Sequence, residues 1–173
     1  MENLDHNNEP GSNPKQTRIK VDVANLPTNL GLRIKISNYH PNERDPIRRH
    51  YLQNKPCQPV DHDFPRSQFG KTKRRFNPLW FQEYPSWLEY SITKDVAYCL
   101  YCYLVRPDTG DQGGGDSFEI EGYRNWKKKE KLQNHVGEHN NAHNIAQRKC
   151  EALLNHRQSI LFCDKWDKVF KQL

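Results

Sequence analysis

The sequence predicts a small α+β fold, a β-hairpin packed on C-terminal helices behind a largely disordered N-terminal tail. Three observations predict it. Two short aromatic and β-branched runs flank a turn at Thr93-Lys94-Asp95, helical periodicity returns after Asn125, and residues 1–29 are almost without aromatic side chains.

Taken in order, residues 1–29 are rich in Asn, Pro, Lys and Asp and are expected to stay disordered, with a brief extended piece at "IKVDV". In the next region, 30–75, "YHPNERDPIRRHYLQN" offers a turn at Pro41-Asn42 and then a short helix ending near Asn54. Ile47, Tyr51 and Leu52 share one face of that helix, and Arg44, Arg48 and Arg49 lie on another. The prolines of "KPCQPVDHDFP" exclude regular structure, and "FGKTKRRFNP" is expected to be a basic loop. The main domain is placed at 76–165, with Trp80, Trp87 and Tyr90 in its core. Its strands lie near Trp87–Ser91 and Val96–Leu100, and a Gly/Asp loop follows at 106–117. Asn125 then caps a helix beginning "WKKKEKLQNHV". A second helix runs from about 141 to 163, where Ala142, Ala146, Cys150 and Leu153 recur at helical spacing. Residues 166–173 are a frayed end.

Composition makes this fold hard to stabilise by burial alone. Val, Ile, Leu and Phe form about a fifth of the 173 residues, and the mean hydropathy is −1.07. Something besides apolar contact must offset the entropy of ordering the chain. The formal charge of +6 suits phosphate backbones or acidic partners. No apolar run of about 18 residues is present, so no membrane span is expected. "MENLDHNNEP" lacks signal-peptide character, which points to a reducing compartment.

The missing stabilisation is suggested by "VAYCLYCYLV", where Cys99 and Cys102 stand three apart at the end of the second strand. Such a pair can be two small core residues, or a redox pair opening a helix in a βαβ unit, a context absent here. With His135, His139 and His143 downstream, the spacing instead suits tetrahedral Zn²⁺ with two sulfur and two nitrogen ligands. Spacing leaves the histidine pair open. His135 with His139, or His139 with His143, fits one turn of an unbroken helix, whereas His135 and His143 lie about 12 Å apart along one. That last pair needs a break, which Gly137 and Asn140-Asn141 would permit as a C-cap and a fresh N-cap. Cys57 is expected to be a packed or free thiol, Cys150 a core residue, and Cys163 to lie near the frayed end.

The string "GLRIKISNYHPNERDPIRRHYLQNKPCQP", continued by "HDFP", "FGKTKRRFNPLWFQEYPSWLEYSITKDVAYCLYCYLV" and "GGGDSFEIEGYRNWKKKEKLQNHVGEHNNAHNIA", resembles the N-terminal part of plant hAT-transposon-derived proteins. These are often labelled zinc finger MYM-type 1-like and carry a TTF-type zinc finger. The resemblance runs from about residue 30 to 165 and implies Cys99, Cys102, His135 and His143 as the ligands. Two positions depart from the family pattern. His139 falls where it does not call for histidine, and Lys55 stands in place of glycine, a change expected to have little consequence. A longer member would continue into a ribonuclease-H-like transposase core and a dimerisation region, and this chain is expected to stop before either.

A site with four protein ligands has no open position, so no catalysis is expected of it. No phosphate-binding Gly-rich loop, nucleophile elbow or His-Glu-x-x-His motif is found, and Asp95, Asp108, Asp111 and Asp116 sit in turns and loops, where Asp serves the backbone. The basic groups Lys71, Lys73, Arg74 and Arg75, with Arg124, Lys127, Lys128 and Lys131, point to phosphate contact. Lys127 and Lys131 would share one helical face beside Tyr123 and Trp126. The expected protein is a nuclear, zinc-stabilised DNA-binding module without a catalytic core. The alternative is a zinc-stabilised protein-interaction module docking through Trp87 or Trp126.

Overall fold

The computed structural model describes residues 21–105 and 116–155, and the architecture is α+β. Helix α1, Pro41–Asn54, starts where His40 accepts a bond from the Asn42 amide, so the expected turn at Pro41 is the helix's own first turn. Ile47 and Tyr51 are buried and Leu52 packs at the core's edge. Residues 21–29, read in the sequence as part of the tail, have a described place: Val21 and Leu26 pack against the core, Asp22 is extended, and Val23–Asn25 forms a 3₁₀ turn, while Ile19 and Lys20 of the expected extended piece lie outside the described residues.

Strands β1, Ser67–Phe69, and β2, Thr72–Arg74, pair antiparallel around Gly70-Lys71. The "basic loop" is therefore a hairpin, and the missed signal is the two-residue Gly-Lys connection, with Gly70 at φ 61°. After the short helix α2, Leu79–Glu83, strands β3, Leu88–Ser91, and β4, Val96–Cys99, pair with Leu88 opposite Cys99 and Ser91 opposite Val96. All eight strand residues are buried. The Pro-rich segment lies along β3, where the Tyr90 amide donates to the Cys57 carbonyl at 3.0 Å. On the other side, Ala97 and Tyr123 exchange both backbone bonds, at 2.8 and 2.7 Å. Gly122 makes that approach possible: a Cβ there would stand 2.3 Å from Val96 Cγ2, and its φ is 84°.

The core is aromatic. Phe76 meets Tyr90 at 4.9 Å and Trp126 at 5.4 Å between ring centroids, and Trp80, Trp87 and Tyr90 are all buried. Burial of Trp126 also corrects the next helix. Residues 126–129 run through turns that keep the indole against Phe76, and helix α4 begins only at Glu130, ending at Val136. Asn125 does not cap it; the Asn125 carbonyl instead accepts from the Lys128 amide at 3.0 Å. Lys127 therefore lies outside α4 and does not share a helical face with Lys131. Helix α5 occupies 142–155 among the described residues. The loop expected at 106–117 lies mostly outside the described residues, as do Asp108, Asp111, Cys163 and the end at 166–173.

Candidate metal centre

Cys99 ends β4 and Cys102 lies in α3, Leu100–Val105, which follows without a break. The strand-to-helix step folds the chain so that the Cys102 amide points at Cys99 Sγ, 3.5 Å away, the kind of contact that steadies a thiolate. His135 comes from the last turn of α4 and His143 from the first turn of α5.

The break between these helices is built by two residues. Gly137 ends α4 at φ 50°, ψ −149°, its amide bonded to the Gln133 carbonyl at 2.9 Å; a Cβ would stand 2.4 Å from Asn141 Nδ2. Asn141 Oδ1 accepts the Asn144 amide at 2.9 Å, capping α5, while its Nδ2 donates to the carbonyls of His135 and Val136 at 2.9 and 2.6 Å. One side chain thus starts α5 and holds the end of α4. The turn brings His143 Nδ1 within 3.1 Å of His135 Nε2, although the two residues are eight apart.

Cys99, Cys102, His135 and His143 offer ligand atoms that all lie within 4.8 Å of one another and could bind a metal ion. Cys99 Sγ is 3.4 Å from His143 Nδ1, and Cys102 Sγ is 3.6 Å from His135 Nε2. Bonds of about 2.3 Å to sulfur and about 2.0 Å to nitrogen set tetrahedral edges of about 3.5 Å for S···N and about 3.3 Å for N···N. These three separations match those edges, and the remaining pairs lie within 4.8 Å. Hydrogen bonding alone fits poorly, because a ring nitrogen carries one proton or one lone pair, yet each of these faces both a sulfur and a nitrogen.

The surroundings exclude water. Cys99, Cys102 and His143 are buried, Trp87 packs 5.0 Å from the His143 ring and 5.3 Å from that of His135, and Phe118 lies 4.4 Å from His135. The Cys102 thiol is drawn far below its usual range by the Cys99 thiol donating to it, with both histidines adding to the effect, while burial pushes Cys99 the other way. Burial likewise pushes Cys150, on α5, up to about 12, which keeps it a neutral core thiol. Cys57 is half-buried and free. His139 sits exposed in the turn between the helices and is not one of the four clustered residues.

The basic residues divide. Lys71, Lys73 and Arg74 are exposed on the β1–β2 hairpin, and Lys127, Lys128 and Lys131 are exposed around the start of α4. Arg75 lies 3.6 Å from Asp63. Arg124 is held inside the fold's own network, its guanidinium donating to Asp95 at 2.8 and 3.1 Å and to Ser67 at 3.0 Å. Tyr123 and Trp126 are buried, so neither offers a stacking face. Sequence reasoning missed a buried pair in which Arg33 meets Glu89 at 3.0 and 3.1 Å with its guanidinium 3.9 Å over the Tyr51 ring.

Fold and site together define a small α+β domain cross-linked by a candidate Cys₂His₂ metal centre. Residues 116–169 match a family described as ZMYM1/FAM200, RNase-like domain, which fits a transposase-derived, ZMYM-like origin for that segment. The matched stretch contains both histidines and neither cysteine of the centre. Neither a curated protein nor a solved structure matches the chain.

Proposed function

We propose that Cys99, Cys102, His135 and His143 hold one structural Zn²⁺, and that the domain is a TTF-type, non-catalytic DNA-binding module acting in the nucleus. The observation that carries the metal reading is the set of three separations, 3.1, 3.4 and 3.6 Å, on the edges of a zinc-sized tetrahedron. Two thiolates and two imidazoles are a donor set that suits zinc and, when all are engaged, leave no position for substrate. When bound, such an ion supplies folding energy rather than chemistry.

DNA is the favoured partner because the +6 charge includes exposed cations on two segments that meet where Arg124 reaches Ser67, the strand partner of Arg74. The match over 116–169 supports a transposase-derived origin, and its RNase-like description runs against the expectation that the chain stops before any such region. Burial of Trp87 and Trp126 removes the anchors that a protein-docking role would have used.

Two measurements test the proposal. Protein purified without chelator is expected to carry one zinc per chain. Duplex binding should weaken steeply between 50 and 200 mM salt, and Lys71→Gln or Lys127→Gln should each lower the slope of log K against log salt by about one. Arg124→Gln should lower stability instead. A flat salt response would refute DNA binding, and metal-free folded protein would refute the zinc centre.

A further inference from the structure

The β1–β2 ribbon stands clear of the domain it grows from. A Cβ added at Gly70, at its tip, would meet nothing within 4 Å, and every residue of β2 is exposed. Its two faces differ. Successive side chains of a strand alternate between faces, and the register sets Ser67 opposite Arg74, Gln68 opposite Lys73 and Phe69 opposite Thr72. Phe69 packs against the core and Ser67 accepts from Arg124 at 3.0 Å, so that face looks inward. Gln68 and Lys73 therefore share the face that looks away from the domain. Gln68 also stiffens the turn, its amide nitrogen donating to the Gly70 carbonyl at 2.6 Å.

Charge decides what this outward face suits. No acidic residue lies between Asp63 and Glu83. Among the described residues no salt bridge engages Lys71, Lys73 or Arg74. A second set of cations stands beside the ribbon's base. Trp126 packs 5.4 Å from Phe76, which lies just past β2, and so holds the exposed Lys127 and Lys128 near it. Uncompensated cations on a projecting element are complementary to a polyanion.

Two features select the polyanion. Two strands about 4.8 Å apart, with their side chains, fit a groove about 12 Å wide, which is the major groove of B-form DNA. The minor groove, at roughly 6 Å, and the narrow major groove of duplex RNA do not admit them. Among the described residues no Phe, Tyr or Trp is exposed, so there is no platform on which unpaired bases would stack.

We infer that the β1–β2 ribbon lies in the major groove of duplex DNA, with Lys73 reading guanine edges and Lys71, Lys127 and Lys128 on the flanking phosphates. This deepens the DNA reading above and rests on it. An ammonium group suits the O6 and N7 acceptors that guanine presents in that groove. Gln68 is a positioning residue, acting through the turn it braces.

Fluorescence anisotropy on the full chain, purified without chelator, tests this with a duplex selected from a randomised pool. That duplex should bind at least about 10-fold tighter than either of its single strands or the matching RNA duplex. Replacing guanine by 7-deazaguanine removes the N7 acceptor and should weaken binding about 5-fold. Inosine, which lacks only the minor-groove amino group, should leave affinity within about 2-fold. Lys73→Gln should abolish the response to 7-deazaguanine at an unchanged melting temperature, whereas Lys127→Gln should weaken all duplexes alike. Steep salt dependence with equal affinity for duplex and single strand would leave DNA binding standing and overturn the ribbon's role. A selected site without guanine, or a 7-deazaguanine response that persists in Lys73→Gln, would overturn it too. Failure to bind any nucleic acid would remove both readings.

Discussion

At the scale of single residues, His139 and His143 carry the same imidazole four positions apart, and backbone geometry separates their roles. His143 enters the site from the first turn of α5, whereas His139 lies in the preceding turn, where its carbonyl accepts from Arg148 at 3.0 Å. His143→Ala should therefore abolish stoichiometric zinc and His139→Ala should leave it intact, as metal analysis of the two purified variants would show. Equal loss in both would mean that the helix break does not persist in solution. Lys55 is the second informative position. It ends α1 at φ 63°, ψ 172°, a region open essentially to glycine alone. The departure from glycine expected to have little consequence thus places a side chain in strained backbone. Lys55→Gly should raise unfolding free energy by about 1 kcal/mol, read from denaturant midpoints.

Elements were legible where local signals and tertiary demands agreed. The β3–β4 hairpin follows from two aromatic and β-branched runs around a turn, α1 follows from its periodic apolar face, and Gly137 with Asn140-Asn141 was readable as a permitted break. The break itself was not compelled by the sequence, because the contact that favours it is between His135 and His143 and exists only after folding. Elsewhere long-range packing overrode propensity: the lysine-rich run at 127–129 favours helix, but burying Trp126 among Phe76 and Trp80 holds that run in turns. The Arg33–Glu89 pair was invisible for a similar reason, since its partners are 56 residues apart. Asn141 tests the element scale directly. Asn141→Ala removes the α5 cap and both bonds to the end of α4, and should cost about 1–2 kcal/mol. Chelator competition should show weaker zinc binding as well, because the same loss frees His143 to move relative to His135. Unchanged zinc affinity would show that the metal, rather than the cap, sets the break.

For the whole molecule, the centre joins parts that sequence comparison divides. The family match begins at 116, so the boundary it suggests passes between the thiolates of β4 and α3 and the imidazoles of α4 and α5. The structure continues across that line through the Ala97–Tyr123 backbone pair and the ring contacts of Trp87 with both histidines. Residues 116–173 alone would keep two ligands of four and lose the β3–β4 hairpin against which Phe118, Tyr123 and Trp126 are buried. That fragment is expected to give no cooperative melt with or without zinc. The intact chain is expected to melt cooperatively with zinc and to lose that transition on chelation, because metal binding in small domains contributes on the order of 10 kcal/mol, comparable to a domain's entire net stability. Calorimetric scans before and after chelation, repeated after zinc is restored, read this directly. A cooperative transition that survives complete chelation would mean that the aromatic core is sufficient by itself and that the metal cross-link has another purpose.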